Sequence, residues 1–237
     1  MTTPRLWLII PAAGAGKRMN SARPKQYLSL RGSLILDLAI ESMSDCFASD
    51  NTALAGCIVA ISVDDPWWCD TRASQNDRVT SVTGGQERAD SVLAALDALD
   101  GQAGPDDWVL VHDAARPCLH PDDLNRLLTE LKDHQVGGLL AAPVTDTLKK
   151  TAAGGQDVLE TVDRSQLWRA LTPQMFRFGI LRCALKSALA AGLPVTDEAS
   201  AVEQAGYFPC IVEGRPDNIK ITVPADLALA DFVLSRF

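Results

Sequence analysis

At 237 residues with 47% hydrophobic content, the chain is long enough to bury one sizeable core, which fits a single α/β domain over 1–237. A formal charge of −8 argues against a nucleic-acid surface, which is normally basic. No apolar run approaches the ~18 residues of a membrane span, and MTTPRLWLII lacks a signal-peptide cleavage pattern, so a cytoplasmic protein without membrane partners is expected.

The first predicted element is a buried strand over Leu6 to Ile10, stopped by Pro11, which has no backbone donor to continue a central ladder. Ala12, Ala13, Gly14, Ala15 and Gly16 follow with almost no side-chain bulk, so backbone N–H groups can approach an anion closely. Lys17, Arg18 and Lys25 come next, with Pro24 fixing the backbone before Lys25, and together they can surround a polyphosphate. A Walker loop is excluded, because Pro11 stands where its first glycine belongs and Arg18 where its hydroxyl residue belongs. A Rossmann fingerprint is excluded by Met19 at its third glycine. The alternative is a small-residue turn between strand and helix, with surface cations that do nothing specific.

Ser33 to about Ser44 is expected to be a helix with Ser33 as N-cap, and Leu54 to Val63 a central parallel strand closed by Asp64-Asp65-Pro66. Val79 to Thr83 reads as a strand, Gly84-Gly85 as its break, and Glu87 to Leu99 as a helix burying Val92, Leu93, Leu96 and Leu99. Trp108 to Val111 is the next strand and runs into His112-Asp113-Ala114-Ala115-Arg116-Pro117. Pro121-Asp122-Asp123 then opens a helix to about Asp133, and Gly137 to Val144 is another apolar strand. Such alternation predicts an open, mostly parallel sheet with its ligand crevice at the carboxyl ends of the strands. The loops at Pro11, Gly84 and Asp113 should converge there.

Thr145 to Thr172 breaks the rhythm: TDTLKKT and DVLETVDR read as two strands joined by Ala153-Gly154-Gly155-Gln156, a projecting β-hairpin arm. Helices resume at about Gly179 to Ala190 and Asp197 to Gln204, the second capped by Thr196 or Asp197. Strand-like Phe208 to Val212 and Asn218 to Val223 follow, and a last helix starts at Pro224-Ala225-Asp226. The cysteines, Cys46, Cys57, Cys69, Cys118, Cys183 and Cys210, show no Cys-x-x-Cys pair and read as thiols of a reducing compartment. His112, His120 and His134 form no zinc-like spacing.

Three segments carry candidate chemistry. Asp113 ends a buried strand beside two alanines, so its carboxylate can meet Mg²⁺ while water and phosphate oxygens fill the other positions. Alternatively, it caps a loop or pairs with Arg116. Gly84 to Ser91 places two glycines and a hydroxyl at a helix start, where backbone groups can read a base edge, or it is simply a capped N-terminus. Lys220 points either into a site or to solvent, and His112 reads as structural.

PAAGAGKRM followed by PKQYL, GGQERADSV, VHDAARP, TVDRSQLW with LTPQ, TDEAS and GRPDNIKIT resembles, in order, the motif set of the 2-C-methyl-D-erythritol 4-phosphate cytidylyltransferase family of the non-mevalonate isoprenoid pathway. PAAGxGxR alone would indicate only the wider nucleotidyltransferase superfamily. The resemblance implies a Rossmann-like fold of nucleotide-diphospho-sugar transferase type and a homodimer formed through arm 145–172. It also implies that CTP and 2-C-methyl-D-erythritol 4-phosphate are joined with the help of Mg²⁺, giving 4-diphosphocytidyl-2-C-methyl-D-erythritol and pyrophosphate.

By the same resemblance Pro11, Ala12, Ala13, Gly14 and Gly16 are the triphosphate loop, and Arg18 and Lys25 stabilise charge on the α-phosphate. Gly85, Gln86, Arg88 and Ser91 match the cytidine-reading segment, with Gln86 standing where the family often has Asp. Asp113 matches the metal ligand and Ala114 the ribose contact, while Arg116, Thr147, Arg164, Thr196 and Lys220 match the residues around methylerythritol phosphate. The attacking phosphate is already anionic at pH 7, so the implied chemistry is alignment and neutralisation rather than strong base catalysis. Arg164 and Lys220 would hold that phosphate. The rivals are a nucleotidyltransferase for another phosphorylated polyol or sugar, and a nucleotide-binding regulator without catalysis.

Overall fold

A computed structural model describes residues 4–14, 19, 21, 23–44 and 54–237. The first apolar run forms β1 (Leu6–Pro11), followed by a short antiparallel pair, β2 (Ser29–Leu30) and β3 (Ser33–Leu34), and by α1 (Ile35–Ser44). The alternation continues through β4 (Leu54–Ile61), β5 (Val79–Thr83), α2 (Arg88–Ala98), β6 (Trp108–Val111), α3 (Pro121–Leu131) and β7 (Gly137–Pro143). The arm is a separate two-stranded sheet of β8 (Leu148–Thr151) and β9 (Val158–Val162). Then come β10 (Trp168–Arg177), α4 (Phe178–Ala190), α5 (Glu198–Gln204), β11 (Cys210–Glu213) and α6 (Ala225–Leu234).

Seven strands make one sheet in the order β11-β7-β10-β6-β1-β4-β5. All run parallel except β10, which is antiparallel to both of its neighbours. The chain moves outward from β1 through β4 and β5, then returns to β6 on the other side of β1. That reversal opens a crevice at the carboxyl ends of β1 and β6. Side chains alternate across these strands. Leu8, Ile10 and Leu110 pack with Leu36, Met43, Leu124 and Leu127 on one face, and Ile9, Val109 and Val111 with Val92, Leu96, Leu181 and Leu185 on the other. Truncating one of these, such as Leu110→Ala, costs about 2–5 kcal/mol through lost burial and the cavity left behind.

Several boundaries differ from expectation for identifiable reasons. Pro11 ends β1 instead of stopping it, since it pairs only with Ala60 of β4 and the β6 ladder already ends at Ile9–Val111. Ser33 lies in β3 rather than capping α1, and its hydroxyl accepts from the Arg72 guanidinium at 3.1 and 3.2 Å. β4 ends at Ile61 and not Val63, three residues before Asp64 turns the chain with φ 54°. β10 is an unexpected strand: Pro173 falls in the break of the β10–β7 register between Ala170 and Gln174, where no ladder donor is required. It starts at Trp168, so residues 168–172 of the 145–172 segment belong to the main sheet.

The stretch Asn218 to Val223 forms no strand, and among its ties to the body Ile221 N–H donates to Ala115 O at 2.8 Å. β11 is Cys210–Glu213, set two residues later than Phe208 at its start. Cys57, Cys69, Cys118, Cys183 and Cys210 are free thiols, and Cys46 lies outside the described residues. No helix among the described residues is long and apolar enough to cross a membrane.

Candidate active site

The loops leaving β1, β5 and β6 meet in one cleft of about 310 Å³. Pro11 to Gly14 forms one wall, Gly85 to Arg88 with Ser91 a second, and Asp113 to Ala115 a third. The first wall is tied down by Gln26, whose buried side-chain amide donates to Ala12 O at 2.6 Å and Gly14 O at 3.1 Å. Gln26 sits in the 3-10 turn Lys25–Tyr27, so the same turn that fixes the loop also places Lys25, whose Nζ donates to Ile221 O at 2.9 Å.

The second wall needs its glycines for space. A Cβ on Gly84 would lie 2.7 Å from both Ala13 Cβ and Ser91 Oγ, and one on Gly85 would run into Asp90 Cβ. Ser91 is buried; it accepts from Gly85 N–H at 3.1 Å and donates to Glu87 O at 3.2 Å, so its hydroxyl shapes the turn that faces the cleft. Glu87 and Asp90 complete a capping box on α2, so this stretch is a capped helix start as well as a cleft wall.

Asp113 is the electrostatic centre. Its Oδ1 accepts from Arg88 Nε at 3.1 Å, and its Oδ2 pairs with Arg116 Nε at 3.2 Å and Lys220 Nζ at 2.9 Å. Burial alone would raise its pKa, but the charges of Arg88, Lys220 and Arg116 overcome that and hold it far below the usual carboxylate range. Arg88 is gripped from a second side by Glu198, with Nη1–Oε1 at 2.5 Å and Nη2–Oε2 at 3.0 Å. Burial would lower the guanidinium's pKa, and the Glu198 and Asp113 charges more than reverse it.

The turn from Asp113 to Arg116 is locked from beneath. Asp113 N–H donates to Thr172 Oγ1 at 3.1 Å, and Thr172 Oγ1 meets His112 Nδ1 at 3.0 Å. Arg116 O can only accept, so His112 Nε2–H donates to it at 2.9 Å, which leaves Nδ1 of the neutral ring to accept the Thr172 hydroxyl proton. Burial lowers the His112 pKa to about 4, which keeps the ring neutral as this arrangement requires. Asn218 joins the same lock, its side-chain amide donating to Thr172 O at 2.8 Å while its main-chain carbonyl accepts from Arg116 Nη1 at 2.7 Å.

A second cavity of about 270 Å³ adjoins the first and shares Arg88, Asp113 and Lys220 with it. Arg116 and Thr196 line this one. The structure therefore brings together Pro11, Ala12, Ala13, Gly14, Lys25, Gly85, Gln86, Arg88, Ser91, Asp113, Ala114, Arg116, Thr196 and Lys220 from six segments of the chain. Thr147 and Arg164 lie on the exposed arm and line neither cavity of their own chain; Arg164 donates to Thr145 O. Gly16 and Arg18 lie outside the described residues. Sequence reasoning missed Gln26, Thr172, Asn218 and Glu198, each of which holds a cleft residue from behind. All four sit inside the quoted motifs PKQYL, LTPQ, GRPDNIKIT and TDEAS, which was the available signal.

A mainly parallel sheet with a small-residue loop at its switch point, facing a cation-bound carboxylate and an adjoining second cavity, defines an α/β nucleotidyltransferase. The family model of 2-C-methyl-D-erythritol 4-phosphate cytidylyltransferase matches residues 6–236, and the chain belongs to that family. It is 57% identical over 225 residues to the 2-C-methyl-D-erythritol 4-phosphate cytidylyltransferase of Ectopseudomonas mendocina, covering 94% of this chain and 93% of that one. Against the Pseudomonas entomophila enzyme of the same name it is 55% identical, covering 96% and 95%. The crystal structure of the Francisella tularensis 2-C-methyl-D-erythritol 4-phosphate cytidylyltransferase superposes with a TM-score of 0.81 at 36% identity, covering 97% of this chain and 99% of that one.

Proposed function

We propose that the chain, as one domain over 1–237 in the cytoplasm, joins CTP to 2-C-methyl-D-erythritol 4-phosphate and releases pyrophosphate. A phosphate oxygen of the polyol attacks the α-phosphorus of CTP, the bond from that phosphorus to the bridging oxygen breaks, and the electron pair leaves on pyrophosphate. The observation that carries this is the wall of Arg88, Asp113 and Lys220 shared by two adjoining cavities. An in-line transfer between two anions needs two sites that meet at a cationic boundary.

In this reading the loop of Pro11, Ala12, Ala13, Gly14 and Gly16 presents backbone donors to the triphosphate, and Lys25 with Arg18 neutralises the α-phosphate as charge grows. Gly85, Gln86 and the turn held by Ser91 read the base, and Ala114 leaves room for the ribose. Arg116, Thr196 and Lys220 hold the acceptor. Thr147 and Arg164 serve the neighbouring site of a homodimer formed through the arm. What supports this is their exposure on a two-stranded hairpin, a unit of marginal stability on its own.

Mg²⁺ fits as an ion carried in by the nucleotide. Asp113 is ionised and lines the cleft, whereas no group of three His, Cys, Asp or Glu among the described residues could hold a metal by itself. One carboxylate plus water and phosphate oxygens is an ordinary Mg²⁺ donor set. Asp113 would hold the ion, which would supply charge neutralisation on the triphosphate.

A pyrophosphate-coupled assay tests the function, with CTP and the other nucleoside triphosphates each run against a panel of phosphorylated polyols and sugars. Turnover is expected with CTP and methylerythritol phosphate. Faster turnover with another acceptor would reassign the substrate, and none with any pair would leave a nucleotide-binding regulator.

A further inference from the structure

Arg88 opens α2 and Glu198 opens α5, and the two meet across 110 residues of sequence. Both Glu198 oxygens accept from Arg88, and the carboxylate is 1% exposed. Arg88 lines both cavities, whereas Glu198 lines neither. A buried ion pair is a poor source of stability, since apolar residues of similar volume often serve as well or better. What the pair does provide is direction. With Nη1 and Nη2 engaged by Glu198, Arg88 offers Asp113 a single donor, Nε at 3.1 Å. Freed from Glu198, the fork would close on Asp113 with two donors, the geometry that guanidinium–carboxylate pairs favour. Its charge would then be neutralised by Asp113 instead of facing the transferred phosphate.

We propose that Glu198 is a positioning residue for the transfer step: it holds the Arg88 guanidinium at the boundary between the two cavities and keeps it from closing on Asp113. This rests on the function proposed above. The charge is needed most while the α-phosphate gains its fifth ligand, so the loss should appear in turnover more than in CTP affinity.

The test is a double-mutant cycle with Glu198→Gln, Arg88→Gln and both together, reading kcat, CTP KM, and CTP affinity by calorimetry. Glu198→Gln is expected to lower kcat by about 10- to 100-fold while CTP affinity stays within about threefold. In the Arg88→Gln background the same change should cost less than about twofold, because Glu198 acts only through Arg88. Equal losses in both backgrounds, or unchanged kcat in Glu198→Gln, overturn the proposal. Turnover is expressed per folded molecule from near-ultraviolet circular dichroism, so a variant that only unfolds shows wild-type kcat per folded molecule and also overturns it. The Arg88 Nε–H signal in nitrogen-15 spectra gives a readout independent of turnover. Its hydrogen exchange should change by about tenfold or more in Glu198→Gln, and an unchanged rate counts against the proposal. If the wild-type chain makes no pyrophosphate from CTP and methylerythritol phosphate, the proposed function fails and this exchange measurement alone decides the role of Glu198.

Discussion

Around Asp113, three cations and the buried Glu198 are each bound to an opposite charge before any substrate arrives. On the arm, by contrast, Lys150 and Glu160 pair at 63% and 57% exposure, and Val158 and Leu159 stand 58% and 62% open to solvent. The cleft is preorganised within one chain, with its groups fixed by Gln26, Thr172, Asn218 and Glu198 from behind. The arm has no such backing. In the function proposed above, such a hairpin, with apolar residues outward and Arg164 beyond its second strand, would be completed reciprocally by the surface of a twofold partner.

The largest effect should come from the preorganised side. Lys25→Ala is expected to lower kcat by about 10²- to 10³-fold with a much smaller change in CTP affinity, since its charge matters most at the pentacoordinate phosphorus. The same is expected of Arg18→Ala. Saturated turnover equal to wild type, with all the loss in nucleotide affinity, would show that these cations only bind.

Asp113→Asn should follow closely, with kcat reduced about 10²-fold or more at ordinary Mg²⁺ and an unchanged circular dichroism spectrum. Asn keeps the shape but leaves Arg88, Arg116 and Lys220 without the charge that gathers them. Full activity in this variant would remove Asp113 from the site.

The arm is tested by mixing. If Arg164→Ala and Lys25→Ala homodimers are both inactive, subunit exchange should give about half mixed dimers, each with one intact site, so about a quarter of all sites recover. Verified exchange without recovery would mean that Arg164 works within its own chain, and the contrast between cleft and arm would lose its functional meaning.

The same contrast governs what could be read from the sequence. Strands such as Leu6 to Ile10 and Trp108 to Val111 were legible because an apolar run ends in glycine, proline or aspartate, and the loops that leave them converge as their order implies. β10 was not, because Pro173 in mid-run argues against a strand unless the break in its pairing is known. Asn218 to Val223 misled in the opposite sense, since Ile219 and Ile221 alternate toward the core without any ladder beside them. Residues that line the cleft sit in recognisable motifs. Those that hold them, such as Glu198 with Arg88 or Thr172 with Asp113, act across 110 and 59 residues and leave no local period.

The smallest effects compare the two kinds of ion pair directly. Asp107 precedes β6 and accepts from Arg5 N–H at 2.9 Å, Gly104 N–H at 3.0 Å and Trp7 Nε1–H at 3.2 Å, besides its pair with the Arg5 guanidinium. Burial would raise its pKa, but these hydrogen bonds and the Arg5 charge hold it below the ordinary carboxylate range. A carboxylate depressed in the folded state contributes stability that is present above its unfolded pKa near 4 and is lost as pH falls through the folded value. Asp107→Asn should therefore cost about 2–3 kcal/mol at pH 7 in denaturant unfolding, and a smaller amount at pH 3, where the wild type has begun to lose the same contribution. Glu160→Gln, which breaks the exposed pair with Lys150, should change stability by less than about 0.5 kcal/mol at either pH. Equal costs for the two substitutions would mean that burial does not set the worth of charge in this fold, and the distinction between a preorganised cleft and an open arm would need another basis.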